Sequence, residues 1–224
     1  MKALIVLGGD PPEEQLIRSE AEHADLLIAA DRGLDAYDRY GLVPDLLVGD
    51  MDSVDAEVLR RWENAVDTRR LPCVKDQTDG MEALDQAIER GAEEIVLLGA
   101  MGGRMDHALG NLMLLVRAAR RRVQAVIRTA DMAAVCVQGR CALYGARGDT
   151  VSLLPLGTAR LVSLSGFYYP LTCGELTDSD SLGISNIVTE DEAWIEAEEG
   201  DLLVFLFHHG EDWPLMENGL AASC

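Results

Sequence analysis

The sequence is poor in positive charge: 19 Lys and Arg stand against 39 Asp and Glu, a formal net charge of −20 over 224 residues. Nonspecific nucleic-acid binding needs a basic surface that neutralises phosphates, so this imbalance argues against it. Cysteine is sparse and unpatterned. Cys73, Cys136, Cys141, Cys173 and Cys224 are an odd, scattered set with no CxxC pair or matched histidines. They indicate neither a disulfide framework nor a zinc site, and they fit a reducing cytoplasm. Long apolar runs are also missing. The richest, such as Leu202–Phe207, are strand-sized and too short for a bilayer span, so no membrane partner is expected. The run Ala3–Leu7 imitates a signal sequence, but Gly8-Gly9-Asp10-Pro11-Pro12 follows at once with no cleavage-like segment. It reads better as a buried first strand.

What is present suffices for one large or two small domains, since 48% of the residues are hydrophobic. Up to about residue 130, short Val/Ile/Leu runs alternate with helical patterns, which predicts βα units around a largely parallel sheet. The expected strands are Ala3–Leu7, Leu26–Ala29, Leu46–Val48, Ile95–Leu98 and Val123–Ile127. Asp10-Pro11, Ser53 and Asp106 are expected to start helices, with Gly91 ending one. After about residue 140, the runs Thr150–Leu154, Ala159–Leu164, Asn186–Thr189, Ala193–Ala197 and Leu202–Phe207 alternate with glycines and no helical period. They predict a smaller all-β sandwich or barrel. The join is expected near Gln138–Gly148, giving domains 1–138 and 139–224.

Three blocks carry chemistry. Gly49-Asp50-Met51-Asp52-Ser53 follows the strand Leu46–Val48 at a strand-to-helix turn, where open α/β sheets gather ligands. Carboxylates at i and i+2 on an extended chain point to one side, which suits Mg²⁺ shared with waters and phosphates. A solvated turn with a helix cap is the plainer account. Lys75-Asp76-Gln77-Thr78-Asp79 precedes another helix, and Asp79 with Glu82 has capping-box spacing. If Asp79 stood about 4 Å from Asp50 and Asp52, each pair would repel by about 4 kcal/mol at an effective dielectric near 20. A divalent cation removes that penalty, and Lys75 would be free for a phosphate oxygen. The third block is Gly99-Ala100-Met101-Gly102-Gly103-Arg104-Met105-Asp106-His107, leading into the helix with Asn111. Glycines expose backbone N–H groups to phosphates, and Arg104 can add a forked contact. The spacing is neither GxGxxG nor GxxxxGK[ST]. An ordinary glycine-rich turn capped by Asp106 is the competing account, and His107 alone reads as a helix-start hydrogen-bonder.

In this order, the blocks resemble the thiamine pyrophosphokinase family. The similarity extends to Ala30-Asp31-Arg32-Gly33, to Pro44-Asp45, and in the second half to Gly166–Leu171 and the segment Ser181-Leu182-Gly183-Ile184-Ser185-Asn186. Arg32 departs from a glycine in the family pattern, and Gly80 from a common aromatic. The first is expected to add a phosphate contact or narrow the nucleotide pocket, the second to loosen a helix start.

The resemblance implies a Rossmann-like catalytic domain, a β-sandwich thiamine-binding domain and a homodimer with composite active sites. It implies transfer of a pyrophosphoryl group from ATP to thiamine. Asp50, Asp52 and Asp79 would hold Mg²⁺, with Asp31 and Gln77 nearby. Gly102, Gly103 and Arg104 would cradle ATP phosphates, alongside Asp106, His107, Asn111, Lys75 and Arg32. Ser185 and Asn186, with Ser181, would bind the pyrimidine, while Tyr169 or Trp194 would face the thiazolium cation. Trp194 also reads simply as a strand residue covering the core. Other outcomes to separate are a pyrophosphokinase for another small alcohol, such as a hydroxymethylpterin, and a non-catalytic sensor of thiamine or its diphosphate. So acidic a chain can bind ATP only where metal and a few cations reverse the local potential.

Overall fold

The computed structural model describes residues 1–71, 77–208, 210 and 213–220. The chain divides into two compact units, Met1–Ala130 and Asp131–Cys224.

The first unit alternates strands and helices: β1 (Lys2–Val6), α1 (Glu14–Glu22), β2 (Leu26–Ala30), α2 (Leu34–Tyr40), β3 (Leu46–Gly49), α3 (Ala56–Trp62), β4 (Asp67–Arg70), α4 (Asp79–Glu89), β5 (Glu94–Leu98), α5 (Met105–Arg120) and β6 (Gln124–Arg128). Its strands pair in parallel in the order β6-β5-β1-β2-β3-β4. Ile5 of β1 registers with Ile28 of β2 on one side and Leu97 of β5 on the other. Ala3–Val6 are fully buried, as expected of a strand covered on both faces. The order reverses at β1, whose neighbours lead in opposite directions. A crevice therefore opens at the carboxyl ends of β1 and β5.

All five expected strands of this unit are present, shifted at their ends by a residue or two. β4 was not expected, because its sequence Asp-Thr-Arg-Arg has no apolar residue. It is the edge strand, and charge there blocks pairing with other chains. The helix starts differ from expectation. α1 begins at Glu14, beyond the Asp10-Pro11 signal, and no side chain caps it. α3 is capped by Asp55, whose carboxylate accepts from the amides of Glu57 and Val58, and not by Ser53. Thr78 caps α4 by accepting from the Met81 amide, so Asp79 is the first helical residue. α5 starts without a side-chain cap; Asp106 sits in its first turn, where the positive end of the helix dipole favours an acid. Arg117 of α5 grips Asp85 of α4 through two bonds of 2.8 and 2.5 Å, joining the helices.

The second unit contains β7 (Met132–Tyr144), β8 (Thr150–Ser165), β9 (Leu171–Thr177), β10 (Asn186–Ile187), β11 (Glu192–Phe207) and β12 (Leu215–Leu220). They pair antiparallel in the order β10-β8-β11-β7, with β12 also on β7 and β9 also on β8. Runs expected as separate strands are continuous here. Thr150–Leu154 and Ala159–Leu164 belong to β8, and Ala193–Ala197 and Leu202–Phe207 to β11. The register of β11 shifts between Ala197 and Leu202, around Gly200 at φ 90°. Such a bulge bends a strand without ending it, although in sequence it looks like a turn. The boundary expected at 138/139 lies inside β7, eight residues beyond the division at Ala130/Asp131.

Candidate active site

Beyond β1 and β5 the chains stay zipped together. The amides of Leu7, Gly9 and Asp10 donate to the carbonyls of Leu98, Gly99 and Met101, each at 2.8 Å. A side chain at Gly9 or Gly99 would strike the opposite backbone, so only glycine permits this approach. Around the seam lies a cavity of about 550 Å³. Gly8 and Gly9 after β1, Asp31 and Arg32 after β2, and Asp50, Asp52 and Ser53 after β3 form its wall, with Thr78, Asp79 and Gly80 at the start of α4. Gly102, Gly103, Arg104, His107 and Asn111 close it after β5. Every contributing segment lies at or beyond the carboxyl end of a strand or at a helix start.

The loop after β3 leaves the extended conformation at once: Gly49 has φ 148° and Met51 φ 66°. Met51 and Val54 are 5% and 8% exposed in the core cluster under β1 and β2, and they anchor the loop from below. The residues between them face the cavity. A Cβ on Gly49 would approach Asp79 Oδ1 to 3.0 Å and Asp31 Cβ to 3.1 Å. Glycine here lets three acidic elements crowd together.

Asp31, Asp50 and Asp79 each offer a carboxylate oxygen within 4.8 Å of the other two. Asp52 lines the cavity but stands outside this group. Its amide instead donates to Asp50 Oδ1 at 3.2 Å. The i/i+2 expectation fails because Met51 is left-handed, and alternation holds only on an extended chain. Asp31 is itself left-handed at φ 47°, uncommon outside glycine and a mark of sites where surrounding structure imposes the conformation. The Ser53 hydroxyl donates to Asp31 Oδ2, while Asp31 Oδ1 is buried with no hydrogen-bond partner. An unsatisfied buried acceptor costs about 1–3 kcal/mol. Burial chiefly raises the Asp31 carboxyl above its ordinary range. The charges of Asp79 and Asp50 add to this, while the Ser53 hydroxyl and the Arg32 amide oppose it. A set of oxygen donors containing an orphaned buried carboxylate oxygen fits a hard divalent cation such as Mg²⁺.

On the opposite wall, Gly102 and Gly103 adopt φ 86° and 63°. Arg104 is exposed and holds Asp106 by two bonds, 3.1 and 2.6 Å, which lowers the Asp106 carboxyl to about 2. Asp106 therefore meets the site only through Arg104. Asn111 is tied to the Ala100 carbonyl at 2.7 Å and braces the loop. Arg32 lies at the rim, with Asp35 at 3.7 Å. Gln77 is exposed and lies off the cavity wall, and Lys75 lies outside the described residues. Gly8, Gly9, Ser53 and Thr78 were not among the expected site residues. The Gly-Gly pair ending the first apolar run was the available signal.

The second unit carries its own pocket, about 290 Å³, walled by Leu153, Leu164, Leu171 and Leu176 with Tyr169, Ser181, Leu182, Ile184 and Asn186. Asn186 is 3% exposed and largely committed. Its Oδ1 accepts from the amides of Tyr169 (3.0 Å) and Ile187 (2.9 Å), and its Nδ2 donates to the Tyr169 carbonyl at 2.8 Å. It shapes the pocket by fixing Tyr169, leaving at most one N–H for a ligand. Ser185 is left-handed at φ 60° and is held through its amide by Ser152 Oγ at 3.0 Å. Trp194 is elsewhere on β11, its ring under the Arg140 guanidinium at 4.4 Å. The structure thus brings Tyr169, Ser181 and Asn186 together and leaves Trp194 apart.

Apart from Leu7, Gly8 and Gly9, the residues of these two sites fall in separately recognised segments. Residues 17–127 match the model for the thiamin pyrophosphokinase catalytic domain, and residues 140–202 the model for the thiamin pyrophosphokinase vitamin B1 binding domain. Thiamine pyrophosphokinase of Bacillus subtilis is 30% identical over 212 residues, covering 91% of this chain and 98% of its own. The chain belongs to the thiamine pyrophosphokinase family. Thiamine pyrophosphokinase 1 of Arabidopsis thaliana is 29% identical, covering 81% of this chain and 78% of its own. The crystal structure of thiamin pyrophosphokinase from Geobacillus thermodenitrificans matches with a TM-score of 0.80 at 31% identity, covering 94% and 99% of the two chains.

Against the family pattern, the two departures have local explanations. Gly80 is buried, and a Cβ there would meet Leu7 Cδ2 at 2.9 Å, so its lack of a side chain lets Leu7 pack against the start of α4. Arg32 is matched by Gly8, where a Cβ would lie 2.9 Å from the Arg32 Cβ. A side chain at position 32 therefore sits where residue 8 has none.

Proposed function

We propose that this enzyme transfers the terminal pyrophosphoryl group of ATP to the hydroxyl of thiamine, releasing AMP and thiamine diphosphate. The observation that carries the reading is the carboxylate trio facing a glycine loop across one crevice, in a chain matched to both thiamine pyrophosphokinase domains. Asp31, Asp50 and Asp79 would hold Mg²⁺, with Asp52 close by for an outer contact. Bound there, Mg²⁺ would neutralise charge on the phosphate oxygens.

The protein groups supply the rest. Amides of Gly102 and Gly103 and the start of α5 receive phosphate oxygens, and Arg104 exchanges Asp106 for a phosphate. The thiamine oxygen bonds to the β-phosphorus in line as the bond from that phosphorus to the α–β bridging oxygen breaks. The hydroxyl proton leaves to water or a cavity carboxylate, and the bridging oxygen departs on AMP. Holding both reactants in line is most of the catalysis.

Thiamine binding is assigned to the second unit, where Tyr169 offers an aromatic face to the thiazolium and Ser181 and Ser185 offer polar groups to the pyrimidine. The fold is read as a Rossmann-like catalytic domain and a β-sandwich, the former supported by the strand order. A homodimer with composite sites is proposed; exposed Tyr168, Tyr169, Leu182, Ile184 and Ile187 supply apolar surface for it. Cys136, Cys141 and Cys173 are not joined in disulfides, in keeping with a cytoplasmic setting. Among the described residues, no helix is long and apolar enough to cross a membrane.

The test is incubation with ATP, Mg²⁺ and thiamine, measuring AMP and thiamine diphosphate together. Equal release of both is expected. ADP with thiamine monophosphate would overturn the pyrophosphoryl assignment, and preference for a hydroxymethylpterin would overturn the acceptor.

A further inference from the structure

We infer that Ser53 is a positioning residue that holds the Asp31 carboxylate in place for cation binding. This rests on reading the carboxylate trio as a metal site. Ser53 is itself well fixed: Met51 and Val54 on either side are buried in the core, and Met51 is left-handed, so the loop has little freedom to carry the hydroxyl elsewhere. That hydroxyl donates to Asp31 Oδ2.

Asp31 needs such a partner. It is pressed against Asp50 and Asp79, and like charges at this range drive a carboxylate to rotate away. The Ser53 donor on Oδ2 opposes that rotation and leaves Oδ1 buried and unbonded, available to a cation. The sequence suggested Ser53 as a helix cap, but Asp55 caps α3, so the Ser53 hydroxyl has no duty to that helix. Donors that orient metal ligands act in this way in many sites.

The test uses Mn²⁺ alone, titrated into the full chain and followed by the electron paramagnetic resonance of the free ion. Ser53→Ala should weaken Mn²⁺ binding about 10- to 100-fold, while Ser53→Thr, which restores the hydroxyl, should stay within about threefold of wild type. In an Asp31→Asn background, Ser53→Ala should produce no further loss. Wild-type affinity in Ser53→Ala would overturn the inference. So would an equal further loss in the double variant, because Ser53 would then act on the cation directly. If the wild-type chain takes up no Mn²⁺, the metal reading itself falls, and this inference with it. Thermal unfolding in EDTA reports whether each variant folds. Should Ser53→Ala not fold, Ser53→Cys replaces it, since a thiol is a weak donor, with a loss between those of Ala and Thr expected.

Discussion

Asp31→Asn should make the metal-free protein more stable and the enzyme inactive. The substitution is isosteric, its amide oxygen can still accept from Ser53, and asparagine tolerates the left-handed backbone that Asp31 adopts at φ 47°. What changes is charge. With carboxylate oxygens up to 4.8 Å apart, each pair involving Asp31 repels by about 3.5 kcal/mol at a dielectric of 20 and about 0.9 kcal/mol at that of water. The cavity is open and Asp31 only partly buried, so screening places the net gain near the lower figure, about 1–2 kcal/mol for two pairs. For a chain of this size that is about 2–8 °C in melting temperature. The pH dependence has a definite sign. The Asp31 carboxyl is raised in the folded state above its ordinary 3.8. Folded protein therefore binds this proton more tightly, and wild-type stability falls as pH rises from 3.8 through the raised value. The gap between variant and wild type should open over that interval and stay constant above it. The assay is thermal unfolding in EDTA across a pH series, repeated with Mg²⁺ and ATP. A variant no more stable than wild type at pH 8 without metal would refute the repulsion argument. Stabilisation of the variant by Mg²⁺ and ATP equal to that of wild type would refute the metal role of Asp31.

Other substitutions address the remaining parts. Asp50→Asn should lower kcat/KM more than Asp52→Asn, by at least about tenfold, if interactions with charged groups carry about 1.5–3 kcal/mol each; steady-state kinetics decide it, and equal losses would return Asp52 to the metal set. Arg104→Ala should raise KM for ATP about 10- to 100-fold, the loss of a charge-assisted contact, with KM for thiamine little changed. Tyr169→Ala should do the reverse, raising KM for thiamine by up to about 30-fold, the upper range of a desolvated cation–π contact. Gly33→Ala should destabilise the first unit by about 3 kcal/mol in urea, because its Cβ would overlap the Val6 carbonyl oxygen with no side chain free to yield.

Much of the lining of the cavity in the first unit was legible in the sequence. Asp50, Asp52, Asp79, Gly102, Gly103 and Arg104 line it, from polar or glycine-rich blocks at strand-to-helix turns, while Asp31, Arg32, His107 and Asn111, which also line it, were legible through the family resemblance. Two misplacements share a cause. Asp52 and Ser53 were assigned from spacing along a regular strand and helix, and the chain is irregular there: Gly49 and Met51 bend the loop, and Asp55 rather than Ser53 begins the helix. In the second unit, Trp194 was a reasonable aromatic candidate, but pairing puts it opposite Ala142 and Ser165 and under Arg140, away from Tyr169.

By itself, the sequence determined the local terms: which segments are strands, where strands end in carboxylates and glycines, and how acidic the chain is. Alternation of apolar runs and helical periods is a short-range property, so residue order suffices to show it. Only the tertiary structure decided which three carboxylates meet. That depends on β2, β3 and the start of α4 converging in space, and on two left-handed residues, Asp31 and Met51, the second of a type that rarely adopts that conformation. The core beneath the loop after β3 anchors it through buried Met51 and Val54. It also places a serine hydroxyl where one oxygen of Asp31 is held and the other is left without a partner.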